Sequence, residues 1–402
     1  MLMAICTLTA CEKNANGVEA RIKPVSCENW FAITDYNQVW LLDYKPKVGE
    51  IFESLHLKYA QRSAASQVNY LCQTKELAVG YTYRGKSGRD AGIEFIGENG
   101  VSTVSLNPSG FNNMIPLGTE LFVYTTQMKR DKIDPNIGVM ALREYAPKSM
   151  KPPTTGYREE KPPSVDSSDH VFIDMLAINL NRHSVDRKFR FPFSFGPPIE
   201  IEGDNFILDT TPSLAIDKQN GYRTIKVKNF GYPPDFHQFM IHGHYNNEKF
   251  YVVVGKRRSD STEKTRITPN SIYVHNTSTS NWDKIAALNF DPVHVTGFQN
   301  EIVIFGRDSF ARFDIAKDAL ITEEKRNFDG MIAAACAWLK DGRVVVMSHT
   351  GPRPDTYGGG EIWVYDADWK KVLAKRKLEG IGLPNITSEL SPFPSGVSYN
   401  SL

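Results

Sequence analysis

The chain has 402 residues, 41% of them hydrophobic, so it contains enough apolar material for a substantial core. Its 47 basic and 46 acidic residues leave a net charge of +1. This balance argues against a dedicated nucleic-acid-binding protein, because such proteins carry a basic excess that offsets phosphate charge. Length alone leaves open one large β domain or two ordinary domains.

The N-terminus begins with ten apolar and uncharged residues, a run too short to cross a bilayer as a helix. Residues 8–11 (LTAC) resemble the lipobox of bacterial lipoproteins, whose cysteine becomes the acylated first residue of the mature chain. The resemblance implies a signal segment over 1–11 and a lipid on Cys11. Because Glu12 rather than Asp follows, it also implies a periplasmic protein anchored to the outer membrane. No Lys or Arg precedes the run, which departs from the lipoprotein pattern, and the alternative is an apolar N-terminal strand.

Cysteine usage agrees with export. Beyond Cys11 the chain contains Cys27, Cys72 and Cys336. An oxidising periplasm favours a disulfide between Cys27 and Cys72. The alternative is three buried thiols that act as small hydrophobic side chains.

Short runs rich in Val, Ile, Phe and Tyr follow, separated by Gly, Asn, Asp and Pro, which is the pattern of β-strands. The clearest predicted strands lie at 31–36, 39–44, 76–83, 120–126, 205–211, 249–255, 301–306, 343–349 and 361–367. Three dipeptides suit tight hairpin turns that need a positive φ. They are Asn99 with Gly100, Asn220 with Gly221, and Asp341 with Gly342.

These runs group into a repeated unit: a weak inner strand, a strongly apolar strand, a connection, a second apolar strand and a polar outer strand. We place the unit starts near Asn29, Tyr70, Phe111, Pro197, Phe236, Val293 and Met331. Repeated four-stranded units resemble those of β-propellers, whose radial closure protects sheet edges. We therefore predict an all-β fold, a propeller of seven four-stranded blades over 29–402, with 12–28 as a tether. Six or eight blades are the alternatives for the count, and a pair of β-sandwiches or a large barrel is the alternative fold.

Four connections between second and third strands are predicted to be unusually long: 84–90, 128–170, 256–266 and 350–360. In a propeller they emerge on one face, and 128–170 is a Pro-rich insertion. Residues 84–90 contain three basic residues and one acidic residue, and residues 256–266 contain five and two. A basic face attracts acidic partners; the alternative is scattered, solvated charge. The predicted partner-binding residues are Arg84, Lys86, Arg89, Tyr157, Lys256, Arg257, Arg258, Lys264, Arg266, Arg353 and Tyr357.

Residues 80–87 (GYTYRGKS) match the phosphate-binding pattern G-x-x-x-x-G-K-[ST] from Gly80 to Ser87. A working loop of this kind needs a helix that opens at the Lys-Ser pair. The residues after Ser87 are rich in glycine and lack a helical apolar face. We therefore interpret the match as spurious.

Three histidines lie close together, at His237, His242 and His244, and paired imidazoles are ligands for zinc or copper. The alternative is inner-strand histidines bonded to backbone or water. The sequence contains no G-x-S-x-G and no H-E-x-x-H motif. No catalytic residue and no cofactor is predicted.

The sequence thus predicts an exported, non-catalytic binding protein, monomeric by itself, whose partner is another protein. A periplasmic inhibitor, such as an immunity protein against a secreted toxin, and an envelope scaffold are two versions of this prediction. Nucleic acid is not expected as a partner, and contact with a membrane is expected only through the lipid. The alternative is a propeller enzyme, or a small-molecule or metal binder, that uses the central channel and the three histidines.

Overall fold

The computed structural model describes residues 20–395 with internal gaps, and these residues form only strands and their connections. The gaps are 24, 36–37, 60–62, 86–87, 107–109, 129–170, 193–198, 202–204, 209–213, 218–222, 227–238, 247–248, 256–269, 277–280, 293, 299, 307, 327–331, 350–358 and 382–384. The described part of the chain contains no helix with the length and apolarity that a membrane span requires.

The described strands form seven antiparallel sheets, numbered here in chain order. Sheet 1 contains β1 (Trp30–Asp35), β2 (Gln38–Lys45), β3 (Glu50–Lys58), β28 (Asn385–Ser388) and β29 (Ser391–Ser395). Sheet 2 contains β4 (Ser63–Leu71), β5 (Glu76–Gly85), β6 (Gly88–Gly97) and β7 (Gly100–Ser105). Sheet 3 contains β8 (Gly110–Leu117), β9 (Glu120–Met128), β10 (Val171–Asn179) and β11 (Ser184–Pro192).

The remaining sheets follow the same plan. Sheet 4 contains β12 (Ile199–Ile201), β13 (Asn205–Leu208), β14 (Leu214–Asp217) and β15 (Arg223–Lys226). Sheet 5 contains β16 (Phe239–Asn246), β17 (Lys249–Gly255), β18 (Ser271–Asn276) and β19 (Asn281–Ala287). Sheet 6 contains β20 (His294–Phe298), β21 (Glu301–Phe305), β22 (Ser309–Asp314) and β23 (Ala319–Lys325). Sheet 7 contains β24 (Ile332–Trp338), β25 (Val344–His349), β26 (Gly360–Tyr365) and β27 (Val372–Leu378).

The middle strands are continuously apolar because both of their faces are packed. In β21, Ile302 and Ile304 belong to the core between sheets 5 and 6, whereas Val303 and Phe305 belong to the core between sheets 6 and 7. Successive side chains of a strand point to opposite faces, so a strand buried on both sides has no polar alternation. The outer strand β23, by contrast, has partly or fully exposed side chains along its length.

The hydrophobic core is divided into clusters that each join two neighbouring sheets. The pairs in contact are sheets 7 and 1, 1 and 2, 2 and 3, 5 and 6, and 6 and 7. Two packed sandwiches would instead share one core between two sheets. Sheets that each pack on the one before and the one after, with first strands β16, β20 and β24 in successive contact, form a β-propeller. The predicted fold class is confirmed, while the count of seven blades stays a prediction.

The two ends of the chain meet in sheet 1. Strand β28 pairs with β1, with Thr34 opposite Asn385 and Phe31 opposite Ser388. It also contacts the first strands of the neighbouring sheets, β24 and β4. The C-terminal β28 is therefore the inner strand of a sheet whose outer three strands come from the N-terminus. This pairing joins the two ends of the described chain in one sheet and leaves β1 hydrogen-bonded on both sides.

Five of the predicted unit starts fall within three residues of an inner strand, and two are wrong. Phe111, Pro197, Phe236, Val293 and Met331 precede or enter β8, β12, β16, β20 and β24. Asn29 precedes β1, which is the second strand of sheet 1, because β28 supplies the inner one. Tyr70 lies near the end of β4 rather than at its start. The first half of β4 is too polar (SAASQ) to give a strand signal.

The last strand, β29, runs through the middle of the ring. It contacts the inner strands β4 and β8 on one side and β20 and β24 on the other. The Ser388 hydroxyl donates to the carbonyl of Trp338, and the Trp338 amide donates to the Ser391 hydroxyl over 3.0 Å. Strand β29 therefore lies in the centre that a propeller with a ligand in its channel would leave open.

Polar clamps tie neighbouring sheets together where apolar packing ends. The Gln67 side chain on β4 donates to the Met114 carbonyl and accepts from the Met114 amide of β8, both over 2.7 Å. Between sheets 5 and 6, Asp318 accepts from the Tyr251 hydroxyl over 2.8 Å and from Lys249 over 2.9 Å. Burial, followed by the Asp318 hydrogen bond, raises the pKa of Tyr251 well above its usual range, so the phenol stays a donor.

The segment before β1 packs into the seam between sheets 1 and 2. Ala20 and Ile22 are buried there, and the Ile22 amide donates to the Gly97 carbonyl over 3.3 Å. A disulfide joins Cys27 to Cys72, with their Cα atoms 5.6 Å apart. The end of the segment predicted as a tether is therefore part of the folded domain. Cys336 is buried and is not part of a disulfide.

His56 on β3 lies in a site that favours its neutral form. Its ring stacks on Trp40 at 4.7 Å, and its Nε2 hydrogen-bonds the Gln38 side chain over 3.1 Å. Burial lowers the pKa of His56 below its ordinary 6.5; Lys58 and Arg376 also lower it and Glu53 opposes them. Protonation is therefore less favourable in the folded state than in the unfolded chain.

We expect His56 to make stability fall with acidification. Its contribution is fully present above the unfolded pKa of 6.5 and is lost as the pH falls from there through the folded pKa. His56→Phe keeps an aromatic ring on Trp40 but cannot titrate. Urea unfolding at about pH 7.5 and about pH 5 should show the wild type losing stability relative to H56F. A constant difference between the two proteins would contradict this assignment.

Candidate functional site

The two faces of the propeller differ in the connections that they carry. Each four-stranded sheet is a meander, so connections between second and third strands lie on one face, called the loop face. The loop face carries long connections at 129–170, 256–270 and 350–359. On the opposite face, the turn face, no connection between described strands is longer than six residues, the longest being 366–371. The predicted asymmetry therefore exists for three of the four long connections.

The prediction of a fourth long connection at 84–90 is wrong. Strand β5 extends to Gly85 and β6 begins at Gly88, with Arg84 directly opposite Arg89. These residues form the end of a β-hairpin with only 86–87 between the strands. Glycines and mixed charges are typical of a loop, which is why the sequence predicts one here. In the structure, the hydrogen bonds between the long strands β5 and β6 continue through these residues. A strand, not a helix, follows Ser87, so the phosphate-binding geometry is not built here.

Most predicted partner-binding residues belong to the loop-face connections. Arg84 and Arg89 lie at the end of the β5–β6 hairpin. The others lie outside the described residues: Lys86, Tyr157, Lys256, Arg257, Arg258, Lys264, Arg266, Arg353 and Tyr357. Cys11 of the predicted lipid anchor also lies outside them.

Two of the three predicted metal ligands lie among the described residues, and the third lies outside them. His242 and His244 lie on β16, opposite Val253 and Tyr251 of β17, and His237 lies outside the described residues. Within the described ranges, no group of three or more His, Cys, Asp or Glu side chains has the geometry of a metal site. The three histidines therefore stay a prediction.

The turn face holds an array of functional groups that sequence reasoning missed. The register of sheet 2 places Phe95 opposite Ser102, so both side chains share the face that packs on sheet 3. Glu76 begins β5 beside Gly97, where an added Cβ would lie 3.3 Å from the Glu76 Cγ. A glycine at 97 therefore leaves room for the Glu76 side chain.

His183 completes this array from the neighbouring sheet. It ends the turn between β10 and β11 with a φ of 48°, the left-handed region that few non-glycine residues adopt. Its ring stacks on Phe95, with centroids 4.1 Å apart and planes 7° apart. Its Nδ1 lies 2.5 Å from the Ser102 Oγ and its Nε2 lies 3.0 Å from Glu76 Oε2.

The order of the three groups determines their roles. A carboxylate only accepts hydrogen bonds, so the imidazole Nε2–H donates to Glu76. In the neutral ring, Nδ1 then carries a lone pair that accepts the Ser102 O–H. The side chains of His183 and Glu76 are each 20% exposed, and Ser102 is half-buried. The array thus combines a hydroxyl, a base and a carboxylate that orients the base, within reach of solvent. We call it the Ser102 array.

Nothing in the sequence marks these three residues as a group. Positions 76, 102 and 183 lie on three separate segments of two sheets, and no local motif connects them. The only available signal was a histidine within a polar turn, NRHS. Its backbone conformation and its contact with sheet 2 appear only in the fold.

No family model matches the sequence, and no curated protein matches it. Solved structures with similar folds include apo AztD from Citrobacter koseri, with 12% identity, a TM-score of 0.45, and coverage of 92% of this chain and 100% of that one. A quinonprotein alcohol dehydrogenase-like protein from Bacteroides thetaiotaomicron has 11% identity, a TM-score of 0.48 and coverage of 93% and 78%. The WD40 domain of Neurospora crassa Pan2 has 7% identity, a TM-score of 0.46 and coverage of 82% and 85%.

The class of protein is thus defined by its own sheet topology: it is a β-propeller. Identities and scores this low carry no inference about activity or partner, so function has to be argued from the faces of this molecule.

Proposed function

We propose that this propeller binds another protein through its loop face. The observation that carries the proposal is the asymmetry between the faces, because 129–170, 256–270 and 350–359 all emerge on one side. Long connections on a rigid scaffold are where binding residues concentrate. The turn face carries only short connections between the described strands.

The proposed partner presents an acidic surface. Residues 256–266 carry five basic and two acidic side chains, although the whole chain has a net charge of only +1. Such local excess steers association with acidic surfaces and makes it sensitive to salt. A periplasmic inhibitor or immunity protein, or an envelope scaffold, fits this mode of binding. We also propose anchoring through lipidated Cys11, which Cys11→Ser would test by releasing the protein from membranes.

The contacts at the centre of the ring favour the loop face, rather than the central channel, as the binding site. Strand β29 contacts inner strands on opposite sides of the ring, so a channel ligand would have to displace β29. This arrangement disfavours the alternative of an enzyme or small-molecule binder that uses the channel.

The test is charge reversal on the loop face. We expect Lys256→Glu, Arg257→Glu and Arg258→Glu together to weaken capture of the envelope partner at least about tenfold, since they replace attraction by repulsion. Deletion of 149–168 should weaken it further. Capture is measured by pull-down with the purified protein, and the loss should shrink in high salt.

The matched control reverses two exposed lysines on the turn face, Lys370 and Lys371. K370E with K371E should leave capture unchanged, and all variants should keep the wild-type melting temperature. Equal loss in both charge-reversed proteins, or no loss in the loop-face variant, would refute the assignment of the binding face.

A further inference from the structure

We propose that Ser102 is an activated nucleophile that carboxylic esters acylate, with His183 as its general base. This activity belongs to the turn face and is independent of the binding proposed for the loop face. A nucleophile and a base within hydrogen-bond reach, with the base oriented by a third group, form the arrangement that activates serine. The 2.5 Å and 3.0 Å contacts of His183 satisfy both requirements.

The reaction balances with the groups present and water. The Ser102 Oγ attacks the ester carbonyl carbon while its proton moves to His183 Nδ1, and the carbonyl oxygen becomes an oxyanion. Collapse of this intermediate expels the alkoxide, which takes the proton from His183 and leaves an acyl group on Ser102. Water then attacks the acyl carbon, His183 accepts its proton, and collapse returns that proton to Ser102 as the carboxylic acid leaves.

Glu76 is the positioning residue of this array. Its carboxylate accepts the Nε2–H of His183, which keeps the lone pair of Nδ1 towards Ser102 and stabilises the imidazolium that forms. The stacked Phe95 ring, itself fully buried, holds the imidazole plane from one side. The imidazole is therefore held before a substrate arrives, which is the condition for efficient proton transfer.

Ser102 lies on an edge strand, which leaves one side of its backbone unpaired by a neighbouring strand and provides a backbone N–H donor near it. Strand β7 is the outer strand of sheet 2. In an antiparallel ladder, backbone N–H groups alternate in direction, so one of the Ser102 and Thr103 amides points away from β6. An outward-pointing amide at or next to Ser102 in the chain is a donor of the kind that stabilises an oxyanion.

His183 is the last residue of the four-residue turn 180–183. Its left-handed conformation belongs to this kind of turn, since Lys75 and Asp318, which end the turns 72–75 and 315–318, share it. The turn presents the His183 ring across the seam to two different groups of sheet 2.

The test exposes the full chain to a fluorophosphonate probe, which reacts with activated serines, and maps the adduct by peptide mass spectrometry. We expect an adduct on Ser102 that S102A abolishes. His183→Asn, chosen because Asn tolerates the left-handed conformation, should slow adduct formation about 100-fold or more, as loss of a general base does. Glu76→Gln should change the pH profile of adduct formation, which a merely structural contact would not affect.

Ser184 provides the matched control. It is a serine in the same turn whose hydroxyl donates to a carboxylate, Asp186 Oδ1, over 3.2 Å, with no imidazole as its acceptor. Ser184→Ala should leave the labelling of Ser102 unchanged. An unlabelled Ser102 in the folded wild type, or labelling that continues at the same rate in H183N, would overturn the proposal. The wild-type result does not depend on whether any variant folds.

Discussion

Replacing Trp369 by alanine is expected to lower the free energy of unfolding by about 3–5 kcal/mol. The Trp369 side chain is only 1% exposed and contacts aromatic rings from two sheets. Its ring centroid lies 5.0 Å from Phe310 and 5.7 Å from Phe305 in sheet 6, and 5.6 Å from Trp338 and 5.9 Å from Tyr365 in sheet 7. Urea unfolding measured by circular dichroism checks the value.

Trp369 also has a φ of 64°. Because of this left-handed conformation, a comparison of the alanine and glycine variants distinguishes the loss of packing from the cost of backbone strain. Glycine adopts this conformation freely, whereas alanine does so at a cost of about 1 kcal/mol or more. W369G should therefore be more stable than W369A by about that amount, although both lose the aromatic packing. Equal stability of the two variants would contradict the left-handed conformation, and a loss under about 1 kcal/mol in both would contradict the packing role.

Removing the disulfide is expected to cost about 2–4 kcal/mol of stability. The bond joins residues 45 positions apart and ties the segment before β1 to the turn between β4 and β5. Without it the unfolded chain gains conformational freedom, and the buried Ala20 and Ile22 lose a nearby restraint. Urea unfolding of the double variant Cys27→Ser with Cys72→Ser, compared with the wild type, measures the effect.

Reduction provides the control for this prediction. A thiol reductant should lower the stability of the wild type to that of the double variant and leave the double variant unchanged. The remaining thiol in the described domain, Cys336, is fully buried, and burial raises its pKa well above the usual range, so it does not exchange while the protein is folded. A double variant as stable as the oxidised wild type would contradict the predicted contribution.

Two features of the candidate sites show how far sequence reasoning reached. The long connections 129–170, 256–270 and 350–359 could be placed on one face, because strand order within a meander follows from chain order alone. The 84–90 hairpin could not, because its strands extend through glycines only by pairing with each other. The Ser102 array was missed for a related reason, since it depends on a contact between sheets 2 and 3 rather than on residue spacing.

The sequence by itself determined the fold class. Continuous apolar strands such as β21 and β25, punctuated by turn residues, carry the signature of sheets packed on both faces, and this pattern is local. Hydrophobic periodicity also placed most inner strands, including β8 and β24, within a few residues. A strand that is buried on both faces needs apolar side chains at any position in the ring. The apolar sequence pattern therefore does not depend on which strand it pairs with.

Only the tertiary structure decided which strands and side chains that are distant in the sequence come into contact. The use of β28 as the inner strand of sheet 1, the passage of β29 through the centre, and the meeting of Ser102 with His183 are all non-local. Such contacts are selected by packing and hydrogen bonding in the folded state, and several partners are compatible with the same local pattern. Residue types and periodicity therefore define the sheets, while the closure of the ring and the chemistry of its seams are properties of the assembled fold.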